Sequence, residues 1–391
     1  MPTKVVAPPP DEAVVAALRG VIDPELGDNV VDLGMVRAVQ VAEGGAVDVE
    51  LALTIAGCPL RTQLRGDVEA RVGGLPGVVS VQVHMAEMTG DERSRVMSRA
   101  RWKARERPTE TEIPPSARVV AVASGKGGVG KSSVTVNLAA ALAARGLTVG
   151  LLDADIWGFS IPRMLGIEGR IEAEGTTDAW SMIPITKPIG SGQLKVVSMG
   201  FLAEGEDEAI MWRGLLLNRA LQHFIENVRW GGLDYLLVDM PPGTGDIQMG
   251  LARMLPRTEL IIVTTPALAA AKVATRAADM ARKGYLRVAG VIENMTAFVC
   301  EHGQSYPLFG AGGGQRVADE IGAPLIGAVP LDPAVAAGGD TGNPVALDGE
   351  GPTAEAFAAI AGRLVDEILP LVEMSGCTAR MLDRVEAALD G

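Results

Sequence analysis

Apolar stretches alternate with amphipathic segments through the last two thirds of the chain. Each stretch is short and precedes a segment whose apolar residues recur at helical spacing, which predicts strands connected by helices. The six candidate strands span residues 119–123, 148–152, 235–238, 260–264, 288–292 and 325–329. This order is typical of an α/β fold in which helices cover both faces of a mainly parallel sheet.

The first 90 residues have a different pattern. Apolar residues at 14–22 have helical spacing, and residues 47–53 alternate between the two faces of a half-buried strand after a Gly44-Gly45 turn. A second helix is expected from Leu60 onward and a last strand at residues 78–83. We therefore expect a small α+β domain over residues 11–90, ahead of a larger domain over residues 118–372.

The remaining segments are expected to lie outside these two domains. Residues 1–10 are expected to be disordered, and residues 373–391 form a C-terminal tail in which Cys377 has no predicted role. Residues 91–117 carry a run of arginines followed by prolines, which favours a solvated linker over a nucleic-acid-binding arm. The formal net charge of -13 also argues against non-specific binding to nucleic acid.

Composition also bears on the compartment. No apolar run approaches the ~20 residues of a membrane-spanning helix, and residues 1–10 lack the apolar core of a secretory signal. The three cysteines are widely separated and do not form a disulfide framework. We therefore expect a cytoplasmic protein with no membrane partner and no specific nucleic-acid partner.

A glycine-rich loop separates the first candidate strand of the larger domain from the helix that follows. It fits the pattern G-x-x-x-x-G-K-S/T and reads Ser124-Gly125-Lys126-Gly127-Gly128-Val129-Gly130-Lys131-Ser132-Ser133. Backbone N–H groups of such a loop surround phosphates, its lysine neutralises them, and its hydroxyl is a Mg²⁺ ligand. Residues 125–133 are therefore predicted to bind the phosphates of a nucleotide.

The same letters also contain G-x-G-x-x-G, which occurs in dinucleotide-binding folds. A dinucleotide fold needs neither a cation nor a Mg²⁺ ligand at the start of the helix, and this loop supplies both, in Lys131 and Ser132. The pattern therefore favours a phosphate loop. An NAD(P)-dependent enzyme stays a rival that a nucleotide-binding assay would test.

Acidic residues and an asparagine follow the candidate strands, at the end of a parallel sheet where functional residues gather. Asp239 is expected to be the partner of the Mg²⁺ at the phosphate loop, and Gly243 in the next loop is a candidate sensor of the γ-phosphate. One of Asp153 and Asp155 is expected to support the metal while the other orients the attacking water. Spacing alone does not assign these two roles.

Lys126 is unusual because Lys131 already serves the phosphates of its own loop. Its simplest explanation is that it reaches the nucleotide of a neighbouring subunit, where a cation stabilises the transferred phosphoryl group. The loop resembles that of the deviant phosphate-loop ATPases, which carry this lysine and enclose two ATP molecules in a homodimer. The resemblance implies that Lys126, Lys131, Asp155 and Asp239 are catalytic, with Asp155 orienting the water and Asp153 nearer the metal.

Three further motifs narrow the resemblance to one family. They are Trp-Gly-Phe-Ser-Ile-Pro at residues 157–162, Glu-Asn-Met at 293–295 and the glycine-rich segment 310–314. With them, the chain resembles the Mrp-type iron–sulfur cluster carrier ATPases over essentially its whole length. The resemblance implies ATP, Mg²⁺ and an iron–sulfur cluster as ligands, a homodimer, and apoproteins and assembly factors as partners. It also implies that Asn294 reads the adenine and that the loop after Pro330 lies against the base.

A partitioning or division-site ATPase is the other candidate, because it shares the deviant loop. Such proteins need a basic membrane-targeting helix or a basic DNA-binding face. The final segment of this chain is not basic, so the pattern favours the cluster carrier.

One departure from the family concerns the cluster ligands. The family usually carries C-x-x-C shortly after Glu-Asn-Met, so that two subunits offer four thiolates to a bridging [4Fe–4S] cluster. This chain reads Cys300-Glu301-His302-Gly303, with glycine at the place of the second cysteine. His302 is a candidate replacement, because imidazole takes the place of thiolate in some iron–sulfur centres. The alternative is that Cys300 only ends an apolar turn.

Cys58 is the second candidate ligand, and it precedes the second helix of the small domain. A position at the helix N-cap would lower the pKa of its thiol, and the alternative is a small buried apolar side chain. Residues 23–25 and 54–59 resemble the iron–sulfur assembly domain that often precedes Mrp-type ATPases. That resemblance implies that Cys58 has a function in cluster assembly.

Overall fold

The structure, a computed structural model of the chain, describes residues 7–23, 26, 28–54, 60–93, 95–96, 111–155, 159–176, 179–201, 221–243, 251, 254–283, 286–300 and 302–371. These residues form a small N-terminal unit and a larger unit that is built on one long sheet. Within the described ranges, no helix is both long enough and apolar enough to cross a lipid bilayer.

The N-terminal unit contains two helices on a three-stranded sheet, with a short strand pair beside it. Its elements are α1 (Asp11–Leu18), β1 (Ile22–Asp23), β2 (Asp28–Asn29), β3 (Val36–Val41), β4 (Ala46–Leu53), α2 (Arg61–Gly73) and β5 (Ser80–Glu87). Strand β4 lies in the centre, antiparallel to β3 and parallel to β5. The alternating residues predicted a half-buried strand, and β4 indeed turns Val47, Val49 and Leu51 into the core.

The predicted order of helix, two strands, helix and strand is confirmed for this unit. Two details were wrong. The first helix ends at Leu18, and Ile22 instead begins a short strand that pairs with β2. The last strand begins two residues later than expected and continues to Glu87, because it pairs along the whole length of β4.

The larger unit alternates strands and helices. Its elements are β6 (Arg118–Ala123), α3 (Lys131–Ala144), β7 (Thr148–Asp153), α4 (Ile161–Met164), β8 (Glu172–Thr176), β9 (Ala179–Ile183), β10 (Ile185–Ile189), β11 (Gly192–Ser198), β12 (Tyr235–Asp239), β13 (Glu259–Thr264), α5 (Leu268–Lys283), β14 (Arg287–Glu293), β15 (Phe298–Val299), β16 (Ser305–Tyr306), α6 (Gly313–Ile321), β17 (Leu325–Ala328), α7 (Pro333–Thr341) and α8 (Pro352–Arg363). Helix α8 continues as a π-helix, Leu364–Ile368.

Eight of these strands form one sheet in the order β10-β11-β7-β12-β6-β13-β14-β17. All neighbours are parallel except β10 and β11. The six predicted strands are all present. The sequence analysis missed β10 and β11, because Lys187 and Pro188 interrupt the apolar pattern of β10. The sheet tolerates a proline there because β10 is an edge strand.

The core lies on both faces of this sheet, as the apolar pattern predicted. Alternate residues of β6 show the two faces. Val119 and Ala121 pack with the alanines of α5 and with α6, whereas Val120 and Val122 pack with α3 and α8. Polar groups at the carboxyl ends of the central strands therefore project from a sheet that is packed on both faces.

Arg71, in the last turn of α2, joins the N-terminal unit to the amino ends of the central strands. Its buried guanidinium donates to the carbonyl oxygens of Pro256 and Arg257 and lies 3.4 Å from a Glu259 carboxylate oxygen. The other oxygen of Glu259 pairs with Arg287 at 3.0 Å. Burial lowers the pKa of the Arg71 guanidinium, and the Glu259 carboxylate opposes that shift. The N-terminal unit thus docks at the amino ends of the strands, whereas the phosphate loop lies at their carboxyl ends.

We expect Gly20→Ala to lower the free energy of unfolding by about 2 kcal/mol, because it breaks this contact. A Cβ at position 20 would lie 2.3 Å from Arg71 Nη1 and 2.8 Å from the Pro256 carbonyl oxygen, so Arg71 must leave its acceptors. Chemical denaturation measures the change. Gly66→Ala in α2 is the matched control, since its Cβ would meet no atom within 4 Å. Equal stabilities of the two variants would contradict the prediction.

Candidate functional site

The glycine-rich loop connects β6 to α3 at the carboxyl end of the sheet. Gly128 and Gly130 have φ values of +79° and +77°, which other residues rarely adopt. The Ser124 hydroxyl donates to the Lys126 carbonyl oxygen at 3.1 Å and holds the beginning of the loop. The loop therefore has the strand–glycine loop–helix context that a phosphate-binding loop requires.

Lys131 reaches across the loop to the acidic residues that the sequence analysis singled out. Its Nζ lies 2.6 Å from Asp239 Oδ1 and 3.8 Å from Asp155 Oδ2. It also donates to the Ser132 hydroxyl at 3.3 Å. Three of the predicted site residues, Ser132, Asp155 and Asp239, thus meet around the ammonium group of Lys131.

Asp239 ends β12 and accepts two hydroxyl groups from α3. Ser132 Oγ donates to Asp239 Oδ2 at 2.6 Å, and Thr135 Oγ1 donates to Asp239 Oδ1 at 2.9 Å. The same carboxylate also contacts the Lys131 ammonium, so Asp239 connects three side chains of α3. The sequence analysis missed Thr135. Its position four residues after Lys131, on the same side of α3, could have revealed it.

Asp153 ends β7, which lies beside β12 in the sheet. Burial, followed by the nearby charge of Asp239, raises the pKa of Asp153 to about 8. Its oxygens accept from the Asp155 backbone N–H at 3.2 Å and from the Ser198 hydroxyl at 2.9 Å. Ser198 was also missed, because it lies at the end of the unpredicted strand β11.

Lys126 and Gly243 lie at the outer side of the same loop. The Lys126 side chain is exposed to solvent, in contrast to the buried Lys131. The Gly243 N–H donates to the Ser124 carbonyl oxygen at 3.2 Å, so this amide contacts the beginning of the phosphate loop. Residues 156–158 and 244–250, which include parts of the predicted switch segments, lie outside the described residues.

Asn294 follows β14 and contacts the phosphate loop from the other side. Its buried Nδ2 donates to the Val129 carbonyl oxygen at 2.9 Å. An alanine at position 130 would place a Cβ 2.3 Å from this nitrogen, which is a second reason for glycine there. Pro330 is half-buried just after β17, the neighbour of β14 in the sheet.

Cys300 lies at the tip of a small hairpin formed by β15 and β16. The thiol is free and partly exposed, and backbone bonds from Cys300 N–H to Gln304 and from Gly303 N–H to Cys300 close the turn. His302 is an exposed residue of the same turn. Within the part of the chain that the structure describes, no group of three or more His, Cys, Asp and Glu residues is arranged to hold a metal ion.

Several sequence predictions concern residues outside the described ranges. Cys58 and Cys377 belong to this group, as do residues 1–6, residues 97–110 of the linker and the tail from residue 372 onward. The role of Cys58 in cluster assembly and the lack of a role for Cys377 therefore stay predictions.

A parallel sheet with this loop, and with carboxylates at the adjacent strand ends, defines a phosphate-loop NTPase. A family model described as "NUBPL iron-transfer P-loop NTPase" matches residues 116–365, and one described as "Iron-sulfur cluster assembly protein" matches residues 11–83. The chain therefore belongs to the family of NUBPL iron-transfer P-loop NTPases. This finding confirms the resemblance that the motifs indicated.

Similar proteins cover nearly the whole chain. The "Iron-sulfur cluster carrier protein" of Mycobacterium leprae is 45% identical over 344 residues, which are 86% of this chain and 87% of the relative. The protein of the same name from Synechocystis is 39% identical over 361 residues, which are 91% of this chain and 97% of the relative. A nucleotide-binding protein from Archaeoglobus fulgidus, solved with ADP, is 34% identical with a TM-score of 0.50 and covers 62% of this chain and 92% of its own.

Proposed function

We propose that this protein binds and hydrolyses ATP, and that it carries an iron–sulfur cluster which it transfers to apoproteins. One observation supports the nucleotide part of the proposal most directly: the predicted site residues lie together at the carboxyl ends of adjacent parallel strands. These residues are Lys131, Ser132, Asp153, Asp155 and Asp239. Family membership and the names of the two relatives support the cluster part of the proposal. The reducing cytoplasm is the compartment in which the free thiol of Cys300 would persist.

The acidic end of the site suits Mg²⁺. Ser132, Asp153 and Asp239 offer the oxygen ligands that this cation takes in proteins. Burial, followed by the nearby charge of Asp239, raises the pKa of Asp153, and a divalent cation at this place would favour the charged form of the carboxylate. Bound Mg²⁺ would supply neutralisation of charge on the phosphate oxygens. The protein residues would do the rest: Asp155 orients the attacking water, and Thr135 and Ser198 fix the carboxylates of Asp239 and Asp153.

The nucleotide would lie along the loop between α3 and β14. Backbone N–H groups of residues 125–133 and the Lys131 ammonium bind the phosphates. Asn294 and Pro330 are the residues that we propose to contact the base. Lys126 faces solvent, and we propose that it acts on the nucleotide of a second copy of the chain.

The hairpin around Cys300 is our candidate for the place where two copies meet and hold the cluster. Large apolar side chains flank the thiol, and each has between 43% and 61% of its surface exposed: Val299, Tyr306, Leu308 and Phe309. Apolar surface of this kind on a soluble fold is typical of an interface. Two copies would bring two Cys300 thiolates together, with His302 as the further ligand, and would form the homodimer that Lys126 requires.

Anaerobic reconstitution with iron and sulfide tests the cluster proposal on the full-length chain. We expect Cys300→Ser to lose most of the bound iron and the charge-transfer absorption, because a hydroxyl is a poor ligand for iron in a cluster. His302→Ala is expected to bind a cluster that is lost faster to a chelator, since one ligand is missing. Transfer to an apo-ferredoxin, followed by its absorption spectrum, measures the carrier activity.

Two other cysteine variants serve as comparisons. Cys377→Ser is the matched control, and we expect it to retain all of its iron. If Cys300→Ser keeps its cluster and Cys58→Ser loses it, the cluster belongs to the N-terminal unit and our assignment of Cys300 is wrong. A wild-type protein that binds no iron would contradict the carrier function itself.

A further inference from the structure

Asn294 donates a hydrogen bond to one peptide group of the phosphate loop. The Val129 carbonyl, which accepts from Asn294 Nδ2 at 2.9 Å, belongs to the same peptide plane as the Gly130 N–H. In a phosphate loop, such N–H groups point at the bound phosphates. A hydrogen bond to the carbonyl therefore fixes the direction of the N–H, and a phosphate on the N–H strengthens the bond to Asn294.

Asn294 is itself held in place from both sides. Its backbone N–H donates to the Thr264 carbonyl oxygen at 2.8 Å, which fixes it to the neighbouring strand β13. Next to it, Met295 has a φ of +57° and is the only non-glycine residue with positive φ in the described ranges. Backbone strain of this kind persists where the surrounding contacts impose it. The direction of the Asn294 side chain and the course of the chain after it are thus linked.

The chain after Met295 leads directly into the Cys300 hairpin. Thr296 N–H donates to the Val329 carbonyl oxygen at 3.0 Å, and Leu331 N–H donates to the Ala297 carbonyl oxygen at 2.9 Å. Strand β15 begins at the next residue, and Cys300 lies six positions after Asn294. The hairpin is therefore joined to the phosphate loop by one short, hydrogen-bonded segment.

The loop that contains the Cys300 hairpin is also fixed at its far end, where α6 begins. The buried carboxylate of Glu293 accepts from the Gly314 N–H in the first turn of α6. Glu293 thus fixes the far end of the loop that contains the hairpin, and Asn294 joins the beginning of that loop to the phosphate loop. A shift of the phosphate loop has a route to the hairpin through Asn294, whereas the base of α6 stays in place.

We propose that Asn294 is a positioning residue that couples the occupation of the phosphate loop to the order of the Cys300 hairpin. It would orient the Gly130 N–H toward the phosphates and, in return, a bound nucleotide would restrain residues 296–306. Such a coupling is reciprocal by thermodynamic necessity. The inference rests on nucleotide binding as proposed above, but it needs neither a cluster nor hydrolysis.

Hydrogen exchange followed by mass spectrometry tests this proposal on the full-length, cluster-free protein. At saturating ADP, we expect the exchange of amides in residues 296–306 to slow by about fivefold or more in the wild type. Asn294→Ala should still bind ADP when the ADP concentration is raised. The exchange rates of residues 296–306 in this variant should nevertheless be nearly equal with and without ADP. Asn294→Asp, which has the same size but no donor, should behave likewise and serves if the alanine variant does not fold.

Thr296→Val is the matched control. It removes the Thr296 hydroxyl bond to the Val329 carbonyl oxygen in the same segment and makes no change at the phosphate loop. We expect it to keep the slowing by ADP, which separates coupling from a general loosening of the hairpin.

Three results would overturn the proposal. One is a wild-type hairpin whose exchange does not respond to ADP. Another is a full response in both Asn294 variants at saturation, with weaker discrimination of ADP from GDP, which would mean that Asn294 only reads the base. The third is a wild type that binds no ADP, which would overturn the proposed nucleotide function as well. Loss of iron binding with an intact ADP response would contradict only the carrier function.

Discussion

Lys131→Ala is expected to abolish ATP binding at micromolar concentrations and to lower ATP hydrolysis by about 10³-fold or more. Lys131 supplies the only buried lysine ammonium in the described part of the site, and it lies within 4 Å of Asp155 and Asp239. Without it, the phosphates would meet two acidic side chains with no buried cation from their own loop. Titration with a fluorescent ATP analogue and release of phosphate measure the two effects.

The Lys131 variant also leaves the buried Asp239 without its ammonium partner, so its folding has to be checked by circular dichroism. Lys195→Ala is the matched control, because it too removes a lysine whose ammonium group donates hydrogen bonds, here to the carbonyl oxygens of Trp230 and Gly232. We expect this control to hydrolyse ATP at the wild-type rate. Wild-type hydrolysis by a folded Lys131→Ala protein would contradict the assignment of the phosphate loop.

The phosphate loop could be predicted from sequence because its chemistry is local. The phosphate-loop pattern lies within residues 125–133. The residues before it have the pattern of a strand, and those after it have the pattern of a helix. Asp239 and Asp153 could be predicted for a related reason. Parallel strands end at one edge of a sheet, so acidic residues just after apolar runs are expected to meet. Both arguments need only short segments and one general rule of topology.

The residues that fix these carboxylates could not be predicted in the same way. Ser198 contacts Asp153 because β11 lies beside β7 in the sheet, and no local sequence pattern predicts that these two strands are neighbours. Arg71 and Gly20 look like surface residues in the sequence, and only the docking of the N-terminal unit buries the guanidinium. The contact from Asn294 to Val129 joins residues 165 positions apart. Long-range contacts of this kind depend on the packed fold.

Lys126→Ala is expected to keep substantial ATP affinity and to lose hydrolysis by about 10³-fold or more, by analogy with the removal of an arginine that acts in trans. The reason is the contrast between the two lysines of the loop. Lys131 is buried against Asp239, whereas the Lys126 side chain faces solvent. A solvent-facing cation at the start of a phosphate loop is placed to act on another molecule. ATP titration and phosphate release distinguish this result from the loss of both properties in Lys131→Ala.

Mixing Lys126→Ala with Asp155→Ala tests whether the lysine acts across a dimer. In a mixed dimer, the site of the Lys126→Ala chain keeps its own Asp155 and receives an intact Lys126 from its partner. Half of the dimers then carry one working site each, so an equal mixture of two inactive proteins should recover about a quarter of wild-type turnover. If Lys126 acted within its own chain, every site in the mixed dimer would lack one of the two residues. An inactive mixture, in which native mass spectrometry shows the mixed dimer, would therefore exclude action in trans.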